Sequence, residues 1–360
     1  MTTNKIKVGI LTLYPFNHGA LLQAYCLQEA VKELGVAVKI IHYRKINSYV
    51  LEYRDFLGNP KQYIRPRTLK VKILTLLKLI KLWRNRRFLQ LTDFSQNIGK
   101  ITAKEKFDIV ILGSDEIWNY KNAVVGFDLT YFGKGIKTKK LVSYGVSFGQ
   151  VNFGEKINEQ VVDCLRHLNC ISVRDLNSLE IIRSFSLKAE KVLDPTFLHD
   201  ICLPPFGKKL PGYILVYLNF ISRENVFYIR EYARKNNKKL IAIGLHMPWC
   251  DMNFIDVDVF EWLNFIKHAD SVITNTFHGT IFSILYKKSF CVLDVGTKVN
   301  KISSLLDDFN LIRQKTDNAK NLNELLNQTL DYSDVFKIVD RVKRESLNYL
   351  KKSIGMEGAG

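Results

Sequence analysis

Reactive side chains gather in a few short stretches of this sequence. In "VITNTFHGTIFSIL" (Val272–Leu285) a strand-like apolar run hands over to a helix-like one, with His278 and Gly279 at the junction. The first N–H groups of a helix lack partners within it and its dipole favours an anion there, so phosphate suits the position. An imidazole beside it can give a proton to a developing anion; the plainer reading is that His278 caps the helix and packs. Arg174 ends an apolar run in "SVRD". Its guanidinium either grips a carboxylate or phosphate through two N–H groups or pairs with Asp175 or Asp115. Asp115 and Glu116 are adjacent in "GSDEIWN", so in extended chain their side chains point opposite ways and one of them faces a site. His18 lies in the loop "PFNHGA" with Asn17 and Gly19, where it contacts substrate or shapes a turn.

Holding these residues requires elements, and strand and helix signals alternate along the chain. "IKVGILTL" reads as a strand, "ALLQAYCLQEAVKELG" as a helix ended by Gly35, and "VAVKIIHY" as a second strand. The strands "FDIVILG", "KLVSYGVSF", "CISVRD" and "AEKVLDPTFL" follow, with the helix "LNSLEIIRSF" before the last. "LPPFGKKLPG" (Leu203–Gly212) reads as a linker. The alternation then restarts: "YILVYLNF", "KLIAIGL", "DSVITNT" and "SFCVLDV" as strands, with "ENVFYIREYARKNN", "VFEWLNFIKHA" and "GTIFSILYKK" as helices. Such alternation calls for parallel sheets covered on both faces. The expected layout is an N-terminal domain over 1–202 with a basic helical insertion at about 61–91, a linker at 203–212 and a C-terminal domain over 213–330. A helix and tail over 331–360 can pack back on the first domain. Ligands of open parallel sheets bind at the carboxyl ends of the strands; the polar residues above all fall there, which predicts a site in a cleft between the domains.

Composition narrows the class. With 360 residues, 47% hydrophobic and 24% charged, the chain can bury two cores, and no apolar run approaches a membrane span. The short apolar run after the first lysines reads as a strand rather than a signal peptide. Six scattered cysteines without a CxxC pair fit a reduced, cytoplasmic protein with no structural metal. The net charge of +18 predicts attraction to something anionic. It is concentrated in "KQYIRPRTLKVKILTLLKLIKLWRNRRFLQL" (Lys61–Leu91), which contains no acid. A basic amphipathic helix of this kind either lies on anionic lipid or packs its apolar face on its own domain. Nucleic acid is not expected, because the stretch lacks interleaved aromatics and no nucleic-acid motif is present.

Six stretches, "NHGALLQAYCLQ", "ILGSDEIWN", "SYGVSFG", "ISVRDLNSLEII", "VLDPTFL" and "ITNTFHGTIFSILYKKSF", resemble in that order the landmarks of the polysaccharide pyruvyl transferase family. The resemblance runs from about Lys7 to Phe290. It implies a glycosyltransferase-B-like architecture of two Rossmann-like domains. It also implies transfer of a pyruvyl group from phosphoenolpyruvate, as co-substrate and without a cofactor, to a sugar, usually as a ketal. Acceptors in this family are capsule, exopolysaccharide or cell-wall units, often carried on a polyprenyl lipid. Residues 61–91 would then hold a cytoplasmic enzyme against the inner face of the plasma membrane. The family's active-site histidine carries over to His278. Many members have an arginine two residues earlier, where this chain has Thr276; Arg174, whose "SVRD" setting matches a donor-binding arginine, would bear more of that work.

On this resemblance His278 is the expected general acid/base and Asp115 the second carboxylate. Arg174, Ser114, Asn275, Thr276 and Gly279 are the expected donor-binding residues. Asn17, His18, Gly19, Gln23, Glu116, Trp118, Tyr144 and Ser147 are acceptor-side candidates, Trp118 because aromatic faces stack on sugar rings. Two rival readings stand beside it. One is a glycosyltransferase using a nucleotide sugar, for which Asp294 in "VLDVG" could hold a ribose. The other is a non-catalytic, membrane-associated binding protein, which the absence of an arginine at Thr276 favours.

Overall fold

The computed structural model describes residues 6–13, 17–41, 43, 76–81, 84–85, 106–294, 299–328 and 330–356. The chain divides into two compact units: Met1–Pro60, Leu89–Ile201 and Asp340–Gly360 form the first, Lys61–Phe88 and Cys202–Val339 the second.

In the first unit β1 (Lys7–Leu11), β2 (Ala37–Ile40), β3 (Ile109–Leu112) and β4 (Lys140–Ser143) form a parallel sheet in the order β2-β1-β3-β4. Helix α1 (His18–Lys32) connects β1 to β2, and α2 (Glu159–Arg166) follows β4. A two-stranded parallel ladder of β5 (Ser172–Val173) and β6 (Glu190–Lys191) encloses α3 (Leu176–Ser184). Single bridges, Val142 to Cys170 and Val146 to Val173, join this ladder to the end of the main sheet. Every residue of β3 is buried, as a strand covered on both faces must be. One face packs Leu112, Trp118, Phe132, Phe148 and Leu165; the other packs Ile10, Leu27, Val31, Tyr349 and Leu350.

The strands read from "KLVSYGVSF", "CISVRD" and "AEKVLDPTFL" are shorter than their apolar runs suggest. Two serines take over the pairing between them: Ser143 Oγ accepts from Ser172 N at 2.9 Å, and Ser172 Oγ donates to Ser143 O at 3.0 Å. Gly145 then turns the chain with a φ of 59°, and its N–H donates to Ser172 Oγ.

The second unit contains β7 (Tyr213–Tyr217), α4 (Arg223–Lys235), β8 (Lys239–Ile243), β9 (Met252–Phe254), α5 (Val259–His268) and β10 (Ser271–Thr274). It continues with α6 (Phe277–Leu285), β11 (Ser289–Leu293), α7 (Val299–Asp308), β12 (Lys315–Thr316) and α8 (Leu322–Asn327). The sheet is wholly parallel in the order β12-β11-β10-β7-β8-β9. This is the doubly wound order of a Rossmann fold, with its switch point between β7 and β10. Strands β9 and β12, three and two residues long, have no apolar run to announce them.

Helix α9 (Tyr332–Ser353) is divided between the units at Val339 and Asp340. Its last turns complete the first unit: Tyr349 donates to Ser143 O at 2.8 Å, and Ser346 Oγ accepts from Leu193 N at 2.9 Å.

Of the basic segment 61–91, residues 76–81 and 84–85 are described, and are helical; the rest of it and the tail 357–360 lie outside the described residues. The segment was expected as part of the first domain, but Lys61–Phe88 of it groups with the second unit. There Arg84 pairs with Glu261 at 2.6 Å, Asp258 at 3.4 Å and Asp256 at 3.6 Å. Lys81 is buried and its ammonium is pushed down to about 8 by burial, with Lys78 adding to the effect, while Leu76 and Leu79 are exposed. Among the described residues no helix is long and apolar enough to cross a membrane.

Leu350→Ala, at a fully buried position, is expected to cost about 2–5 kcal/mol, seen as a lower urea midpoint. An unchanged midpoint would remove the end of α9 from the core of the first unit.

Candidate functional site

Polar residues gather at the carboxyl edge of each unit's sheet. In the second unit β10 ends at Thr274 in the switch point, and Thr274 Oγ1 donates to Tyr217 O at 2.8 Å across it. Asn275 Oδ1 accepts from Asn219 N at 2.9 Å and its Nδ2 donates to Phe220 O at 2.9 Å, so its amide braces the neighbouring loop. Thr276 is the N-cap of α6, its Oγ1 accepting from Gly279 N at 3.1 Å and lying 3.0 Å from Thr274 Oγ1. A Cβ on Gly279 would collide with both hydroxyls, which accounts for glycine there. The cap uses Gly279 N–H and the helix uses Thr280 N–H, so an incoming anion can meet at most the N–H groups of Phe277 and His278.

His278 therefore stands in the first turn of α6, half-buried, with its ring edge-on to Phe277 at 5.4 Å. The face of Phe277 is covered by the Lys301 ammonium, 5.0 Å from the ring centroid. Lys301 belongs to α7 and is 9% exposed. Sequence reasoning passed over this lysine; the signal available was its position in the amphipathic run "NKISSLLDDFN".

In the first unit Asp115 follows β3 with a φ of 81°, a left-handed backbone that aspartate tolerates better than most side chains. Its carbonyl accepts from Ser147 N at 3.0 Å, and its carboxylate meets Arg174 Nη2 at 3.0 Å. Arg174 Nη1 meets Asp194 Oδ2 at 2.7 Å. The other oxygen of Asp194 accepts from Thr196 Oγ1 at 2.7 Å and Thr196 N at 3.1 Å. Burial would by itself lower the Arg174 guanidinium; the charges of Asp115 and Asp194, aided by Glu116 and Asp175, outweigh it and raise it above its ordinary value.

This placement corrects the expectation that Arg174 reaches for an anionic donor. Its side chain is 1% exposed and faces two carboxylates, whereas that of Asp115 is 15% exposed. The plainer reading of Arg174, as the partner of Asp115, is the one realised; Asp175 instead caps α3 by accepting from Ser178 N. Asp194 is the member sequence reasoning missed, and the "LDPT" stretch at a strand end was its signal.

Several acceptor-side candidates lie inside the first unit. Trp118 is fully buried, donates from Nε1 to Tyr131 O and stacks on Phe132, so its face is not presented to a sugar. Tyr144 is likewise buried, its hydroxyl on Leu193 O. Gln23 donates from Nε2 to Thr12 Oγ1, Leu13 O and Ala20 O, joining the end of β1 to α1. Ser147 is buried and accepts from Gly149 N. Asn17 is exposed and caps α1 by accepting from Gly19 N at 2.9 Å, with His18 and Gly19 buried behind it. Glu116 Oε2 accepts from Asn119 Nδ2 at 2.9 Å. Ser114 Oγ is buried with no hydrogen-bond partner among the described residues.

A family model described as polysaccharide pyruvyl transferase matches residues 17–297. No curated protein matches the sequence. Among solved structures, UDP-GlcNAc 2-epimerase from Methanocaldococcus jannaschii is similar at a TM-score of 0.50 and 13% identity, over 96% of this chain and 99% of that one. UDP-GlcNAc 2-epimerase from Neisseria meningitidis, bound to UDP-GlcNAc, is similar at 0.51 and 10%, over 96% and 99%. Arabidopsis thaliana UGT89C1 complexed with UDP is similar at 0.53 and 12%, over 98% and 100%. The fold is thus glycosyltransferase-B-like, with two Rossmann-like domains.

Arg174→Met is expected to destabilise the ligand-free protein by about 3–5 kcal/mol, because it leaves the buried Asp194 carboxylate uncompensated. Denaturant unfolding reads this directly; wild-type stability in the variant would mean that the guanidinium is not a structural partner.

Proposed function

Because the chain belongs to the polysaccharide pyruvyl transferase family, we propose that it moves the pyruvyl group of phosphoenolpyruvate onto a sugar of a lipid-linked surface-polysaccharide or cell-wall unit, forming a pyruvate ketal and releasing phosphate. The observation that carries this reading is His278 in the first turn of α6 at the switch point, with Lys301 over the adjoining Phe277 ring.

A proton delivered to C3 of phosphoenolpyruvate leaves C2 electrophilic. One sugar hydroxyl adds to C2 and loses its proton, and the C2–O bond to phosphate breaks with its electron pair leaving on phosphate. A second hydroxyl adds to C2, loses its proton and closes the ketal. His278 is assigned the proton transfers. Backbone N–H groups at the start of α6 and the Lys301 ammonium are assigned the donor's negative charge, Lys301 standing in for the arginine absent at Thr276. Asp115, fixed by Arg174, is assigned a hydrogen bond from a sugar hydroxyl. The acceptor's lipid carrier would bring the protein to an anionic membrane surface, and segment 61–91 is the part assigned to meet it; Leu76 and Leu79 are exposed apolar side chains among its described residues.

The deciding measurement is thermal unfolding of the protein with phosphoenolpyruvate, phosphate, UDP, GDP or CMP. A ligand of the native state at a hundredfold excess over its Kd adds about 2.7 kcal/mol. A shift with phosphoenolpyruvate is expected; a shift with a nucleotide and none with phosphoenolpyruvate would make the protein a nucleotide-sugar glycosyltransferase instead. With donor and acceptor in hand, His278→Ala is expected to lower kcat by roughly 10²–10⁴-fold. Turnover within a few-fold of wild type would end the acid/base assignment. Lys301→Met is expected to raise KM for phosphoenolpyruvate roughly 10–100-fold, with Lys301→Arg recovering part of the loss. Equal KM values in the three proteins would remove Lys301 from the donor site.

A further inference from the structure

One face of α4 carries a pattern that the proposed reaction does not use. Arg223, Phe227, Arg230 and Arg234 recur at helical spacing, which puts them along a single stripe. The stripe lines a groove of about 920 Å³ together with Lys239 and Trp249. All of its lining residues belong to the second unit, and none belongs to the β10–α6 junction.

The groove is cationic. Five cations line it against two carboxylates, and both carboxylates are engaged. Glu231 is held by Arg234 at 3.1 Å, and Asp251 Oδ2 accepts from Leu240 N at 2.7 Å. Lys238 pairs with Asp270. Arg223, Arg230 and Lys239 have no carboxylate partner among the described residues. Between these arginines in the stripe Phe227 is 60% exposed, its ring in a T-shaped contact with Tyr228 at 5.5 Å.

Arginine forks suit carboxylates through two parallel hydrogen bonds, and aromatic faces suit the C–H faces of sugar rings. From Arg223 to Arg234 the helix rises roughly 16 Å, room for a few consecutive sugars. A flat bilayer does not fill a concave groove, and a nucleic-acid strand asks for successive aromatic platforms along a charged track. We propose that this groove binds an acidic saccharide chain, with carboxylates on Arg223, Arg230 and Lys239 and sugar faces on Phe227 and Trp249. The inference rests on the function proposed above, since ketal formation puts a new carboxylate on each sugar it modifies; the groove would hold chain already modified while the next unit is processed.

The test uses the whole chain, with hexagalacturonate as the acidic probe and maltohexaose as the neutral one, followed by calorimetry and tryptophan fluorescence. Hexagalacturonate is expected to bind, to weaken with added salt, and to bind at least about tenfold more tightly than maltohexaose. The double variant Arg223→Ala/Arg230→Ala and the single variant Phe227→Ala, at a side chain 60% exposed, are each expected to lose about tenfold or more, with unchanged melting temperatures and an unchanged shift on adding phosphoenolpyruvate. Equal binding of the two saccharides, or wild-type binding by folded variants, would overturn the proposal. So would binding of phosphatidylglycerol vesicles or a single-stranded oligonucleotide through these arginines when hexagalacturonate does not bind. Saccharide binding that the variants lose, in a protein that ignores phosphoenolpyruvate, would sink the transferase reading and leave the groove standing.

Discussion

A guanidinium taken out of water must be met by negative charge, and the carboxyl edge of the first unit is organised around that requirement. Arg174 follows β5, Asp115 follows β3 and Asp194 lies just past β6, so two ion pairs add side-chain links where the β5–β6 ladder and single bridges at Val146 already bring these strand ends together. The pairing also explains the left-handed backbone at Asp115: with its carbonyl held by Ser147 N, the carboxylate has to turn to meet the guanidinium. Hydroxyls complete the arrangement through Thr196 on Asp194 and through the Ser143–Ser172 exchange. A buried pair of this sort contributes little net stability compared with well-packed apolar groups. What it supplies is a fixed position for one partly exposed carboxylate.

The second unit meets the same need at its own switch point with neutral groups. Two threonine hydroxyls and one carboxamide satisfy the backbone around the start of α6, at distances of 2.8–3.1 Å. Because no charge is spent there, the first turn of the helix keeps its own dipole for whatever anion arrives. The edges thus differ electrostatically, one carrying a guanidinium between two carboxylates and the other the positive end of a helix dipole capped by neutral groups. The helix cap at Thr276 also explains how the chain can lack an arginine at that place: the threonine has a structural duty that an arginine could not perform.

Much of this was legible in the sequence, for local reasons. Alternating strand and helix signals point to the parallel sheets, whereas the expected cap of α6, His278, gives way to Thr276 two residues earlier. The placement of His278 and Gly279 at a strand-to-helix junction needed only neighbouring residues to be read. What escaped depends on partners far apart along the chain. Arg174 reaches Asp115 across 59 residues, and Arg84 reaches Asp258 across 174; no local period records either. The aromatic Trp118 looks the same in sequence whether it faces a sugar or a core, and its burial is decided by Phe132 and Phe148 arriving from elsewhere. The short strands were overestimated for a related reason, since serine hydroxyls replaced main-chain pairing that apolar runs alone would have continued.

The division of the chain between the units has a consequence for how the protein is made. The unit that begins first is finished last: the core around β1 and β3 includes Tyr349, Leu350 and Ile354, which leave the ribosome after all of the second unit. The second unit in turn recruits Arg84, translated well over a hundred residues before the capping carboxylates it binds. Neither unit can therefore close as a simple N-to-C sequence of domains. A nascent chain stalled anywhere before about residue 350 would hold an unsealed apolar face on its oldest sheet, and long-range closure of this kind is slow. During synthesis that face is the natural point of engagement for chaperones.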